Sequence, residues 1–322
     1  MSLPLYIATG DPAGVGPSIA LWAVASRAEQ GPFVLVGDGE RLAEEARGLG
    51  LDVGSQAISI LDVGRVPDRV VDARAPSAEG GRAQLAALER AAREVLAGRG
   101  RALVTGPTSK AAIELAGTPF TGQTEHLARM ADLPADAVTM MFLGPRLRLA
   151  LATTHTSLRK LPDAVTKGAV ERSIRHLAAA LAALSRDRRE GLPRIAVTGL
   201  NPHAGEGGLF GDEERTVIGP AIEASADVDA ILEGPLGAET ALRLAAEATV
   251  DGVVAMFHDQ ATIASKLLDW GRAVNVTWGL PFLRTSVDHG VAYSAAATGQ
   301  ADPSGMGAAL DLAAVLTGPR GP

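Results

Sequence analysis

RIAVTGLNPHAGEGGLFG, residues 194–211, begins as a short apolar run and stops abruptly in a loop that sets one histidine among five glycines. A run of this kind, bounded by turn residues, reads as a strand buried in a parallel sheet. A histidine that only packs has no need of so bare a loop, whereas a metal ligand or a substrate contact does. Working outward, Leu5–Ala8, Phe33–Val36, Ala102–Thr105, Gly252–Met256 and Ala273–Val276 read as further buried strands. Between them lie amphipathic stretches, one with Leu85, Leu88, Ala92, Val95 and Leu96 at helical spacing and another running from Val165 into an alanine-rich tail. Strand–helix alternation of this sort predicts an α/β protein built on parallel sheet. Val138–Leu143 and Leu147–Ala152, joined by Gly144-Pro145-Arg146, read instead as an antiparallel hairpin. No internal repeat or low-complexity tract interrupts the pattern, and no linker marks a boundary, so any two-lobe division is interleaved.

The 322 residues suffice for one large or two ordinary α/β domains, and 47% apolar with 21% charged residues marks a globular chain. Aromatic residues are only 3%, which does not suit stacking platforms for single-stranded nucleic acid. A net charge of −7 without a long basic run argues against a nucleic-acid partner. With no cysteine, disulfides, thiolate metal sites and cysteine nucleophiles are excluded. No signal peptide or membrane-length apolar span is visible, so the expected location is the cytoplasm, with no membrane partner.

In open α/β sheets ligands gather outside the carboxyl ends of the strands. His155 follows the second hairpin strand, His203 follows the strand quoted first, and His258 follows Val253–Phe257. Each alone reads more readily as a strand cap or a loop anchor. Together, three imidazoles at three strand ends read more strongly as ligands of a divalent ion with open positions. His126 falls in a helical pattern and reads as structural, and His176 as a surface residue. His289 stays open between a fourth ligand, a cofactor contact and a loop anchor.

Thr9-Gly-Asp-Pro-Ala-Gly-Val-Gly-Pro17 follows the first strand but lacks the third glycine of a dinucleotide fingerprint, and Asp38 at about the right distance is a weak addition. Thr105-Gly-Pro-Thr-Ser-Lys110 lacks half of a P-loop; Lys110 stands where an anion could bind or where a solvated lysine would do. Residues 266–290 concentrate polar groups, among them Lys266, Arg272, Asn275, Thr277, Arg284 and Asp288. This segment reads as an anionic-substrate pocket or as surface loops with ion pairs.

GDPAGVGP, TGPTSK, TGQTEH, ATTH, GLNPHAGEGG, FHDQ and NVTWGLPFLRTSVDHG occur in this order at spacings that closely resemble the 4-hydroxythreonine-4-phosphate dehydrogenase family of vitamin B6 biosynthesis, over about residues 5–315. The resemblance implies a two-lobed isocitrate/isopropylmalate dehydrogenase-like fold with the active site in the interlobe cleft. Residues 1–137 with 286–322 would form one lobe, and 138–285 would form the other and carry most metal and substrate residues. It further implies a homodimer with shared active sites and a divalent metal (Zn, Mg or Co) on His155, His203 and His258. Substrate contacts would fall on Gln123, Thr124, Lys266, Asn275 and Arg284, and cofactor contacts on Asn275 and Asp288. Lys266 and Glu239 are the candidates for acid–base catalysis.

The activity so implied is oxidation of 4-phosphohydroxy-L-threonine with NAD or NADP, then decarboxylation to 3-amino-2-oxopropyl phosphate, on the route to pyridoxal 5'-phosphate. Two positions depart from the family pattern. Gln123 stands where the family has histidine, and it cannot carry charge near neutral pH; Glu239 stands where aspartate is expected. Both leave room for a paralogue acting on a related phosphorylated hydroxy acid of the phosphothreonate type. A metal-dependent lyase or hydrolase without redox chemistry, and a non-catalytic binding protein, are the readings from other classes.

Overall fold

The computed structural model describes residues 2–184 and 191–318. Its strands are β1 (Leu5–Ala8), β2 (Phe33–Gly37), β3 (Ile58–Asp62), β4 (Ala102–Thr105), β5 (Thr139–Leu143), β6 (Arg148–Leu151), β7 (Arg194–Thr198), β8 (Ile231–Leu236), β9 (Gly252–Ala255), β10 (Val274–Trp278) and β11 (Leu283–Ser286). The chain divides into two units, one running to Ala135 and resuming at Leu280, the other spanning Asp136–Gly279. The lobe expected over 138–285 included Arg284. In the structure β11 pairs in parallel with β4, Arg284 opposite Leu103, so Arg284 belongs to the first unit.

The first unit holds strands in the order β3-β2-β1-β4-β11, every pairing parallel. Parallel strands need crossovers, and the long one here is the helix Ala78–Leu96. Ser77 caps it by accepting from the Gly80 amide, and the helix buries Ala87, Leu88, Ala91, Ala92 and Val95. That stripe packs with Tyr6, Ala8, Val36 and Leu103. Each large aliphatic side chain so removed from water contributes roughly 1.5–3 kcal/mol.

The second unit has the order β10-β5-β6-β9-β7-β8. β5 runs antiparallel to both β10 and β6, which realises the hairpin read from the sequence. The buried Asp269 carboxylate accepts from the Leu147 amide at 2.9 Å and fixes the hairpin turn. β6, β9, β7 and β8 are mutually parallel neighbours, so their carboxyl ends share one edge. Leu149, Leu151, Val253 and Ala255 on one face pack with Ala241, Ala245 and Ala261 of the helices Ala238–Ala246 and His258–Leu268. The helix Lys167–Leu184 packs on β6 and β9, with Leu177 and Leu181 over Gly252.

His176 lies on that last helix and is not the surface residue expected. Its Nδ1 is 2.8 Å from Thr139 Oγ1, and burial, with the Arg172 guanidinium nearby, pushes its pKa down to about 4. Position 176 precedes Leu177 on the helix and turns toward β5, a tilt that sequence periodicity does not resolve.

Candidate active site

The parallel set in the second unit carries three of the chemistry-bearing residues directly off adjacent strands. β6 leads to His155, β9 to His258 at the start of its helix, and β7 to the His203 loop, in that spatial order; β8 then leads to Glu239. The rings of His155 and His258 lie 5.3 Å apart, centre to centre. Two imidazoles on one tetrahedral zinc, each with a metal–nitrogen distance near 2.05 Å, place their centres about 5 Å apart. The pair therefore fits a shared ion. His258 Nδ1 sits 2.7 Å from Asp259 Oδ1, which leaves Nε2 as the ring nitrogen for any ligand, the arrangement of a carboxylate behind a metal-binding histidine.

His203 does not complete a three-donor group with this pair: among the described residues no set of three or more His, Asp or Glu side chains is placed to hold a metal. The reason lies in its loop. From His203 to Gly208 every residue has positive φ, including His203 at 52°, Ala204 at 52° and Glu206 at 44°. Each non-glycine held there costs roughly 1–2 kcal/mol, so the loop must be tied down elsewhere. The tie is Glu214, buried at the start of the π-helical turn Glu214–Ile218. Glu214 Oε1 accepts from the Leu200 and Asn201 amides at 2.8 Å, and Oε2 from Asn201 Nδ2 at 3.0 Å. Burial pushes this carboxyl up, but the hydrogen bonds from Asn201 and Leu200 outweigh it, and the net shift is downward. Gly205, at φ 77°, lies so close that a β-carbon there would sit 2.6 Å from Glu214 Oε2. The glycines around His203 thus let a left-handed loop fold over a buried carboxylate. The ring itself is exposed, 6.4 Å from the Phe210 ring.

Glu239 stands in the first turn of the helix Ala238–Ala246, hydrogen-bonded by Thr240 Oγ1 at 2.9 Å. That bond, backbone amides and the nearby His203 hold its carboxyl below the usual range. Lys266 is eight residues past His258 on the same helix, about 12 Å along the axis. Its ammonium lies 5.7 Å from the centre of the exposed Trp270 ring. Asn275 lies in β10, half buried, opposite Phe142.

The remaining candidates gather in the first unit at the carboxyl ends of β4 and β11. Arg284 is only 3% exposed, and its guanidinium donates to Thr105 Oγ1 at 3.1 Å and to Gln123 Oε1 at 2.6 Å. Burial pushes its pKa down to about 10, with Glu125 acting the other way, so it stays cationic at neutral pH. Gln123 opens the helix Gln123–Met130 and donates through Nε2 to Gly106 O and Thr108 Oγ1, which settles its orientation with the oxygen toward Arg284. Thr124 beside it is buried. Asp288 follows β11 by two residues and is half buried.

The glycine-rich turn after β1 has another use. Gly14 is where Val291 packs, a β-carbon there falling 2.2 Å from Val291 Cγ1, and Asp38 spends its oxygens on the Arg41 and Val66 amides. His126 is buried against Glu89 and Phe120. His289 is exposed, with Nδ1 2.9 Å from its neighbour's carbonyl.

The family model described as pyridoxal phosphate biosynthetic protein PdxA matches residues 28–313. The chain belongs to this PdxA family. A relative named 4-hydroxythreonine-4-phosphate dehydrogenase from Burkholderia vietnamiensis is 42% identical over 324 residues, covering 98% of this chain and 97% of its own. A solved 4-hydroxythreonine-4-phosphate dehydrogenase from Klebsiella pneumoniae is 33% identical with a TM-score of 0.83, covering 98% of each chain. A solved terephthalate 1,2-cis-dihydrodiol dehydrogenase from Burkholderia xenovorans LB400 is 32% identical with a TM-score of 0.70, covering 98% of each chain. The PdxA family fold is α/β and isocitrate/isopropylmalate dehydrogenase-like, and this member is an oxidoreductase. Among the described residues no helix is long and apolar enough to cross a membrane.

Proposed function

We propose that the protein oxidises 4-phosphohydroxy-L-threonine with NAD or NADP and a divalent metal. Decarboxylation to 3-amino-2-oxopropyl phosphate follows, in pyridoxal 5'-phosphate biosynthesis. It works in the cytoplasm as a homodimer with shared active sites. The observation that carries this reading is the row of parallel strand ends delivering His155, His258 and His203 to one edge, in a chain of the PdxA family. His155, His203 and His258 are the proposed ligands of the ion, Zn, Mg or Co: within one chain His155 and His258 approach each other while His203 does not join them, and the set is completed at the shared site by a second copy of the chain. When bound, the ion supplies Lewis acidity toward the substrate hydroxyl, while the nicotinamide accepts a hydride.

The chain's own groups do the positioning. Arg284, dry and cationic, holds an anionic group of the substrate, with Gln123 and Thr124 beside it. A guanidinium out of water binds phosphate or carboxylate more firmly than one at the surface. Lys266 and Asn275 add contacts to the substrate, and Asn275 and Asp288 to the cofactor. In this reading Glu239, whose carboxyl is held below the usual range, accepts a proton and Lys266 donates one.

Gln123 favours a second reading in which the substrate is a related phosphorylated hydroxy acid of the phosphothreonate type. Its neutral oxygen is already committed to Arg284, and a solved structure 32% identical to this chain carries the name of a diol dehydrogenase. One assay tests both: purified protein with divalent metal, NAD or NADP, and each phosphorylated acid in turn, following reduced cofactor and released CO2. Turnover of 4-phosphohydroxy-L-threonine supports the first reading. Turnover of the phosphothreonate alone supports the second, and reduced cofactor with neither acid would exclude both.

A further inference from the structure

The helix His258–Leu268 is apolar on two faces. On the inner one Ala261 packs in the core of the second unit, with Thr262 and Ser265 buried beside it. On the outer one Asp259, Ile263 and Leu267 follow at four-residue spacing and so share a stripe. Trp270 stands just past the helix end. Ile263 is 61% exposed, Leu267 78% and Trp270 76%. A helix that is apolar all round is normally one covered all round. Together these side chains present an apolar patch of several hundred Å², the size at which such a patch marks an interaction site. The two ends of the stripe carry opposite charges. Asp259 opens it, exposed, and Arg272 closes it, exposed and in no ion pair among the described residues.

We propose that this stripe docks on the same stripe of a second copy of the chain, the two helices antiparallel about a two-fold axis near Ser265. In that pairing Ile263 meets Leu267 of the second copy, Lys266 meets the small Ala264, and Asp259 meets Arg272. Each contact then occurs twice, as an isologous interface requires. Aliphatic groups meet at the centre and a carboxylate meets a guanidinium at either end, so the surface is complementary to itself in both shape and charge. A lipid surface would call for a basic rim, whereas the chain carries a net charge of −7. A stable interface buries about 800 Å² on each partner, so the stripe supplies its apolar centre and the surrounding surface its polar rim. The inference rests on the homodimer of the proposed function and gives it a surface. The stripe begins one residue after His258, so a second copy docked there stands beside that imidazole, as a shared site demands.

The test is the association state of the purified full chain, by sedimentation velocity and light scattering over a wide range of protein concentration. Wild type should be a dimer at micromolar concentration. Ile263→Glu with Leu267→Glu places carboxylates in the apolar centre and should raise the dimer dissociation constant at least about hundredfold. Circular dichroism should stay that of the folded chain, because both side chains face water within one copy. Arg272→Asp should weaken the dimer about tenfold, and adding Asp259→Arg should restore most of the loss. The chain has no cysteine, so Leu267→Cys creates a single thiol that a short bifunctional maleimide should join between copies. A wild type that is monomeric at every concentration removes the homodimer reading and leaves the stripe to a different occupant. A wild-type dimer whose dissociation constant is unchanged by the double Glu substitution overturns the docking face alone. Should that variant not fold, Leu267→Cys decides, and a dimer whose thiols do not cross-link overturns the face equally.

Discussion

Arg284 and Gln123 form a buried pair in the first unit in which only the guanidinium carries charge. The guanidinium is buried, and Gln123 Oε1, a neutral acceptor, approaches it to 2.6 Å. Gln123→Glu would supply a full negative charge there, satisfy the guanidinium internally and oppose an incoming anion. A charge about 8 Å from the bound anion costs roughly 2 kcal/mol at an effective dielectric near 20, about thirtyfold in KM. Steady-state kinetics on Gln123→Glu should show that rise with a much smaller change in kcat; an unchanged KM would remove Arg284 from the substrate site. His176 carries a pH prediction. Its folded pKa of about 4 lies below the ordinary 6.5, so on acidification the unfolded chain takes up this proton first. Stability should therefore fall as pH drops from about 6.5 to about 4. His176→Gln should flatten that limb in denaturant midpoints measured across the range. The sequence pattern placed His155, His203 and His258 at strand ends, but it could not show that Gln123 faces Arg284. That pairing joins residues 161 positions apart and depends on β11 lying beside β4.

At the level of elements, the loop after β7 concentrates the strain. Gly205→Ala puts a β-carbon 2.6 Å from Glu214 Oε2 at a φ of 77°. The expected loss is about 1–3 kcal/mol of stability, read by thermal or denaturant unfolding, with weaker metal binding because the His203 loop loses its seat. Glu214 has a lowered pKa, so its contribution to stability is present above the ordinary carboxylate range and is lost as pH falls through the folded value. Proteolysis within residues 202–211 should accelerate on acidification in the wild type, and much less so in Glu214→Gln. The strands called from apolar runs, β1, β2, β4, β7, β9 and β10, are recovered because burial on both faces forces continuous hydrophobicity. β3, β8 and β11 gave no such signal. β8 is largely half exposed and contains Gly234-Pro235, and β11 is the polar Leu283-Arg-Thr-Ser286, whose Arg, Thr and Ser are buried through hydrogen bonds to β4 and to the Ala309 carbonyl. A strand that buries polar groups looks like a loop in sequence, and residues 266–290 read as a polar segment for that same reason.

For the whole molecule, the interleaved division follows from β11 returning to the first unit, and it places the imidazole edge and the Arg284 cluster in different units. The long motifs that resemble the family carry the identity of the chain, whereas Gln123 and Glu239 mark where it departs from the pattern. The most direct measurement is the rate of NAD(P) reduction against divalent metal concentration, with phosphorylated hydroxy acid present, for the wild type and for His155→Ala, His203→Ala and His258→Ala. The expected result is saturable, chelator-sensitive turnover in the wild type and a loss of both turnover and bound metal in each variant. Full, metal-independent turnover in any one of the three would contradict the assignment of these imidazoles to a catalytic ion.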